Sequence, residues 1–116
     1  MKTRSNPEDR SECWHLYIIR TIDGYLYAGI TTDVERRVNE HLAQGRKAAK
    51  YLIAHKPASL VFSQAVGIRS LALRVEYHFK QLSSQEKLHI IHSGKLFFDS
   101  NTGKILHEIP GKDDHP

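Results

Sequence analysis

Apolar and polar residues alternate over two short runs near the start of the chain, and the period then lengthens. Trp14 to Arg20 (WHLYIIR) is rich in aromatic and β-branched residues. A period of two puts Trp14, Leu16 and Ile18 on one face and His15, Tyr17 and Ile19 on the other. The run stops at Thr21-Ile22-Asp23-Gly24, and Asp-Gly between two such runs predicts a tight hairpin. The second strand, Tyr25 to Ile30, carries Tyr25, Tyr27 and Gly29 on one face. A glycine at that strand end predicts that something approaches the backbone closely, a structural role for Gly29.

From Thr32 the spacing becomes helical. Thr32-x-x-Glu35 reads as a capping box, and Val34, Arg37, Val38, His41 and Leu42 follow the i, i+3, i+4, i+7, i+8 pattern. Two of these five stripe positions are polar, which places Arg37 and His41 at a concave edge rather than in plain packing. Gln44 to Pro57 reads as a basic linker. Ser59 to Val66 predicts a third strand between Pro57 and Gly67. Ile68 to Leu82 predicts a helix with Ile68, Leu71, Ala72, Val75, Phe79 and Leu82 on its apolar stripe, and Glu76 and Lys80 beside it. Ser83-x-x-Glu86 starts a last helix, through about Ile91, which His92-Ser93-Gly94 ends. The fold expected is α+β: a small antiparallel three-stranded sheet flanked by helices, in the order β-β-α-β-α-α.

A chain of 116 residues holds one domain. Residues 1–12 are almost free of apolar side chains and read as a flexible arm. Residues 13–98 form the domain, and 99–116 read as a loosely packed or disordered tail in which Asn101-Thr102-Gly103 offers a weak hairpin turn. Lys and Arg number 17 against 13 Asp and Glu, a net charge of +4 that favours an anionic partner. The single cysteine, Cys13, excludes an internal disulfide and a multi-cysteine zinc site. No run is apolar enough for a signal peptide or a membrane-spanning helix, so a cytoplasmic location is expected.

Two tyrosines facing an arginine and a histidine fit phosphodiester chemistry. Tyrosine is a weak base at its ordinary pKa of about 10, and a nearby cation favours its ionised form. Arg37 can hold a phosphate through two parallel hydrogen bonds. Glu76 is a hard oxygen donor of the kind that holds Mg²⁺ together with water and substrate oxygens. In the linker, Arg46, Lys47 and Lys50 can track a nucleic-acid backbone, with Tyr51 available for stacking and Lys80 beyond it. Taken singly each residue has a plainer reading: an aromatic cross-strand pair, a surface ion pair, a half-buried histidine, a solvated loop.

The run LYIIRTIDGYLYAGITTDVERRVNEH resembles the GIY-YIG nuclease superfamily. Tyr17 falls in the "GIY" element and Tyr27-Ala28-Gly29 in the "YIG" element. Arg37 and His41 match the family's Arg and a downstream His, and Ala72-Leu73-Arg74-Val75-Glu76 matches the metal-carboxylate helix. The resemblance covers roughly residues 14–92 and is nearest to the small stand-alone bacterial YhbQ-like branch, itself similar to the nuclease domain of Slx-type endonucleases. His15 stands in place of the "GIY" glycine and Ala28 in place of the "YIG" isoleucine.

The resemblance implies DNA cleavage dependent on Mg²⁺ or Mn²⁺. Carried over, it makes Tyr17 the general base, Tyr27 a group that positions water or phosphate, and Arg37 a charge stabiliser. His41 then assists proton transfer, and Glu76 is the metal ligand. The expected partner is DNA, branched or damaged, with a further protein as a possible source of substrate choice and a role in repair or recombination. Two other functions fit the same residues: a module that holds structured nucleic acid without cutting, and a nuclease subunit with little activity alone. Leu96-Phe97-Phe98 is the apolar patch that a protein partner would use, although packing of the C-terminal segment onto the core is the favoured reading of it.

Overall fold

A computed structural model of the chain describes residues 12–106. Its order is β1 (Trp14–Thr21), β2 (Leu26–Thr31), α1 (Val34–Ala43), α2 (Lys50–Ala54), β3 (Pro57–Gly67), α3 (Arg69–Lys80) and α4 (Ser84–Ser93). The three strands form one antiparallel sheet in the order β2-β1-β3. This is the α+β arrangement expected from the sequence, with one addition: five residues of the basic linker form the helix α2. The expected N-terminal arm lies outside the described residues except for Glu12.

The central strand explains the architecture. β1 pairs on both sides, and Leu16, Tyr17, Ile18 and Ile19 are all buried, so both faces of the sheet must be covered. Leu16 and Ile18 join Ala28 and Phe62 under Val75 and Phe79 of α3 and Ile90 of α4. Tyr17 and Ile19 face the opposite way, against Leu52 of α2, with Tyr27, Val34 and Val38 packed around them. The linker helix α2 thus closes a second, smaller core. Leu42, expected on the apolar stripe of α1, is instead 50% exposed, while Leu52 of α2 is fully buried against Tyr17 and Ile19.

Caps set the helix ends. The Thr21–Tyr25 turn is closed by the Tyr25 amide donating to Thr21 Oγ1 at 2.8 Å, with Gly24 at φ 92. α1 is not capped by Thr32. Thr31 Oγ1 accepts from the Asp33 amide at 3.1 Å, Asp33 stays extended, and its carboxylate accepts from the Arg36 amide at 3.1 Å. At the other end Gln44 takes the left-handed conformation, and its side-chain amide donates to the carbonyls of His41 and Leu52, tying α1 to α2. The Ser83–Glu86 capping box and the Gly94 stop of α4 are as the sequence predicts.

Beyond α4, Gln64 both donates to and accepts from the Leu96 backbone, and Phe98 bridges Ile105 around the Asn101-Thr102-Gly103 turn. Gly103 packs on Arg74 and Val75, so the segment is seated on α3. Leu96 is buried in the main core while Phe97 is 61% exposed. Residues 107–116, the rest of the expected tail, lie outside the described residues.

Gly29 is the tightest point of the sheet. It pairs with Tyr17, and a Cβ at Gly29 would lie 2.6 Å from the Tyr17 hydroxyl oxygen and 2.7 Å from the ring carbon bearing it. The close approach expected at this glycine is therefore the ring of Tyr17 itself. Tyr17 is 1% exposed and cannot swing aside. Gly29→Ala should destabilise the protein by about 1–3 kcal/mol in urea unfolding through overpacking. Gly45→Ala, where an added Cβ meets nothing within 4 Å, should change stability by less than about 0.5 kcal/mol.

Candidate active site

The second core holds a cluster of polar rings. Tyr17 and Tyr27 are diagonal neighbours on the hairpin face, with ring centroids 6.3 Å apart. His41, carried inward by α1, is fully buried and lies 5.9 Å from Tyr17 and 5.6 Å from Tyr27. Tyr51 of α2 stacks on Tyr27 at 5.9 Å, and His55 stacks on Tyr51 at 4.6 Å. His55 also bonds Asp23 of the hairpin turn at 2.8 Å, fixing the far end of the linker helix.

Both nitrogens of His41 are engaged, and together they fix its tautomer. The backbone N–H of Ala49 donates to Nδ1 at 3.2 Å, and Nε2 is 2.8 Å from the Tyr17 hydroxyl. A neutral imidazole has one N–H. Since Nδ1 accepts, the proton sits on Nε2, and Nε2–H donates to the Tyr17 oxygen. Burial, helped by the positive charge of Arg37, lowers the His41 pKa to about 4, so the ring is neutral at physiological pH. His41 therefore supports the Tyr17 oxygen and cannot accept the tyrosine's proton. Burial, and then the nearby Tyr27, push the Tyr17 phenol well above its ordinary value, against the opposing pull of Arg37.

Arg37 is held beside this pair. Its Nη1 donates to Glu40 Oε1 at 2.9 Å and to the Lys47 carbonyl at 2.6 Å. Glu40 also pairs with Arg36 at 2.7 Å, and Arg37 foremost, then Arg36, hold its carboxylate below the usual range. Of the linker cations, Lys47 thus contributes its carbonyl to the site, while Arg46 and Lys50 are exposed. Lys80 lines an open groove of about 350 Å³ with Tyr27 and Tyr51. Glu76 is one helical turn from Lys80 and pairs with it at 2.9 Å.

The structure therefore joins Tyr17, Tyr27, Arg37, His41 and Tyr51 in one cluster and sets Glu76 with Lys80 on α3. Glu76 is a partly buried hard oxygen donor. Among the described residues no group of three or more His, Cys, Asp or Glu could hold a metal ion. One carboxylate fits a cation that fills its remaining positions with water and substrate oxygens, and does not fit one that needs a protein cage. Sequence reasoning missed Glu40 and the Ala49 amide. Glu40 was findable, since it is three and four residues beyond Arg37 and Arg36 on one helix. The amide carries no side-chain signal.

The His41 geometry has a consequence for stability. Its pKa falls from about 6.5 when unfolded to about 4 when folded, so the unfolded chain binds the extra proton between those values. Stability should accordingly fall as pH drops from 6.5 toward 4, by at most roughly 3 kcal/mol from this residue. Denaturant unfolding at pH 7 and pH 5 should show the loss, and His41→Gln should flatten it. An equal loss in the variant would assign the pH dependence to other groups.

A family model described as the GIY-YIG catalytic domain matches residues 13–89. The UPF0213 protein YhbQ of Escherichia coli strain K12 is 52% identical over 84 residues, covering 72% of this chain and 82% of that one. Its counterpart in Escherichia coli O127:H6 is 51% identical over the same length and shares. A solution NMR structure of the UPF0213 protein BH0048 from Bacillus halodurans is 36% identical and covers 70% of this chain and 84% of that one, with a TM-score of 0.45. With a matching family model over most of its length and relatives more than half identical, the chain belongs to the GIY-YIG catalytic-domain family, a family of nucleases.

Proposed function

We propose that the protein is a divalent-cation-dependent DNA endonuclease acting on branched or damaged DNA in repair or recombination, in the cytoplasm. The observation that carries this reading is the hydrogen bond donated by His41 to the Tyr17 oxygen beside the guanidinium of Arg37. A tyrosine used only for packing needs neither a buried neutral histidine on its oxygen nor a cation next to it.

In this reading Tyr17 is the general base. Its hydroxyl proton is lost to solvent, because His41 has no free lone pair to take it. The resulting oxygen anion is stabilised by Nε2–H of His41 and the charge of Arg37. Tyr17 then accepts a proton from water as that water's oxygen bonds to phosphorus and the bond to the leaving oxygen breaks. The leaving oxygen takes its proton from solvent. Tyr27 holds the attacking water or a phosphate oxygen, and Arg37 exchanges its contact with Glu40 for the phosphate. Nucleases of this family generally use divalent metal ions. Glu76 would hold such a cation, Mg²⁺ or Mn²⁺, which supplies charge neutralisation at the phosphate and the leaving oxygen.

The test is cleavage of end-labelled branched and linear DNA with Mg²⁺, with Mn²⁺ and with chelator. Cutting should need the cation and should be lost in Tyr17→Phe and Glu76→Ala. His41→Ala should lose roughly 10²-fold or more, the cost of removing one stabilising donor. His41→Gln, which keeps an N–H near the Nε2 position, should retain more activity than His41→Ala. Because the Tyr17 phenol is raised and His41 stays neutral to about pH 4, the single-turnover rate should rise with pH through the neutral and alkaline range with no inflection near 6.5. Tyr17→Phe with undiminished cutting, or a rate that falls as pH rises above 7, would overturn the assignment of the base.

A further inference from the structure

The edge strand β2 borders a second feature that the catalytic reading does not use. The groove lined by Tyr27, Tyr51, Lys80 and Lys87 continues along the strand into another cleft of about 560 Å³. Leu26 and Lys87 line both. The second cleft runs past Tyr25 to Arg20 on β1 and His92 on α4. Among the described residues no carboxylate lines either one. Glu76 is occupied with Lys80, and Glu86 closes the capping box with Ser83. The outer surface of α1 is the reverse: its hollow is lined by Asp33, Glu35 and Glu40, with Arg36 tied to the first and last of these.

We infer that this cleft along β2 is a single-strand channel, in which an unpaired nucleic-acid strand leaves the site with its phosphates on Lys87 and Arg20 and a base against Tyr25. The inference rests on the nuclease reading and names the kind of substrate the site takes: DNA with a single-stranded extension beside the cut. Three observations converge on it. The channel is continuous with the catalytic cluster through Tyr27. Its charge is cationic, while the exposed surface of α1 is acidic and repels a backbone. Tyr25 is 53% exposed, and its contact with His55 is edge-on, so a ring face is free for a base. A cationic groove with an exposed ring is the general design of single-strand binders.

The test reads binding, not cutting. Fluorescence anisotropy of a labelled oligothymidine and of a blunt duplex would be measured with chelator present, for the wild type and for Arg20→Glu/Lys87→Glu. Arg20→Gln/Lys87→Gln guards against misfolding, and Lys104→Glu, on the exposed turn at the far side of α3, controls for net charge. Single-strand affinity should fall tenfold or more in the reversal variant, less in the glutamine variant, and little in Lys104→Glu. The slope of log affinity against log salt should drop by roughly 1.4 for two lost phosphate contacts. Tyr25→Ala should cost about tenfold on the single strand and leave the duplex unchanged. Unchanged single-strand binding in the double variants would overturn the channel. So would an equal loss on the duplex, which would mark a general charge effect. Because no cation or cleavage is needed, a protein that binds single strands through Lys87 but never cuts would leave the channel standing while the nuclease reading fails.

Discussion

The hydrogen bond between His41 and Tyr17 organises this molecule. It can form only because Gly29 leaves room for the tyrosine ring over the backbone of β2 and because the Ala49 amide holds the other side of the imidazole. Those requirements come from three parts of the chain: the hairpin, α1 and the linker. A buried histidine with an open nitrogen would cost the desolvation of a polar group, about 1–3 kcal/mol. The linker therefore has to fold back over the sheet, and Leu52 of α2 follows it into the second core. A stretch that reads as a solvated basic loop is in this way part of the packing of the site.

Burial gives the same residues their chemistry. A charged imidazole with no exposure to water would be costly, so His41 is neutral, and being neutral with Nδ1 occupied it has only one thing to offer, an N–H to the Tyr17 oxygen. Burial also keeps Tyr17 protonated in the resting protein. The Arg37 charge opposes this, and Glu40 and the Lys47 carbonyl keep it in place. If Tyr17 is the base, as proposed, the donors that would stabilise a phenolate are assembled before the phenolate exists, which is what electrostatic preorganisation requires.

Local chemistry carried most of the fold into the sequence. The Asp23-Gly24 turn, the alternation in β1, the Ser83 capping box and Gly94 all act within a few residues, and each is seen where the spacing predicts it. The errors arose where a neighbouring contact decided between equally good local options. Thr32 and Asp33 are both good helix caps, and the Thr31 hydroxyl, by holding the Asp33 amide, selects the second. Leu42 fits the α1 stripe but is half exposed, and it is Leu52, from outside the helix, that is buried in the second core. At the site, the tyrosines, Arg37 and His41 stood out because polar groups interrupt a core-facing pattern. The direction of the hydrogen bond between His41 and Tyr17 depends on a backbone amide eight residues away, and no side-chain pattern encodes that.

The resting pairs also bear on how a substrate could enter. Arg37 is satisfied by Glu40 and Lys47, and Glu76 by Lys80, so neither acid–base pair presents an unpaired charge to solvent. If the site acts as proposed, a phosphate would draw Arg37 from Glu40, and a cation on Glu76 would displace Lys80. These two exchanges help each other. Lys80 already lines the groove with Tyr27 and Tyr51, so once released from Glu76 it becomes a free positive charge where a backbone would lie. A phosphate held there in turn stabilises Lys80 away from Glu76 and leaves that carboxylate open. On the proposed reading, substrate and cation would thereby be coupled through one lysine, and neither would need to bind tightly alone for both to be held together.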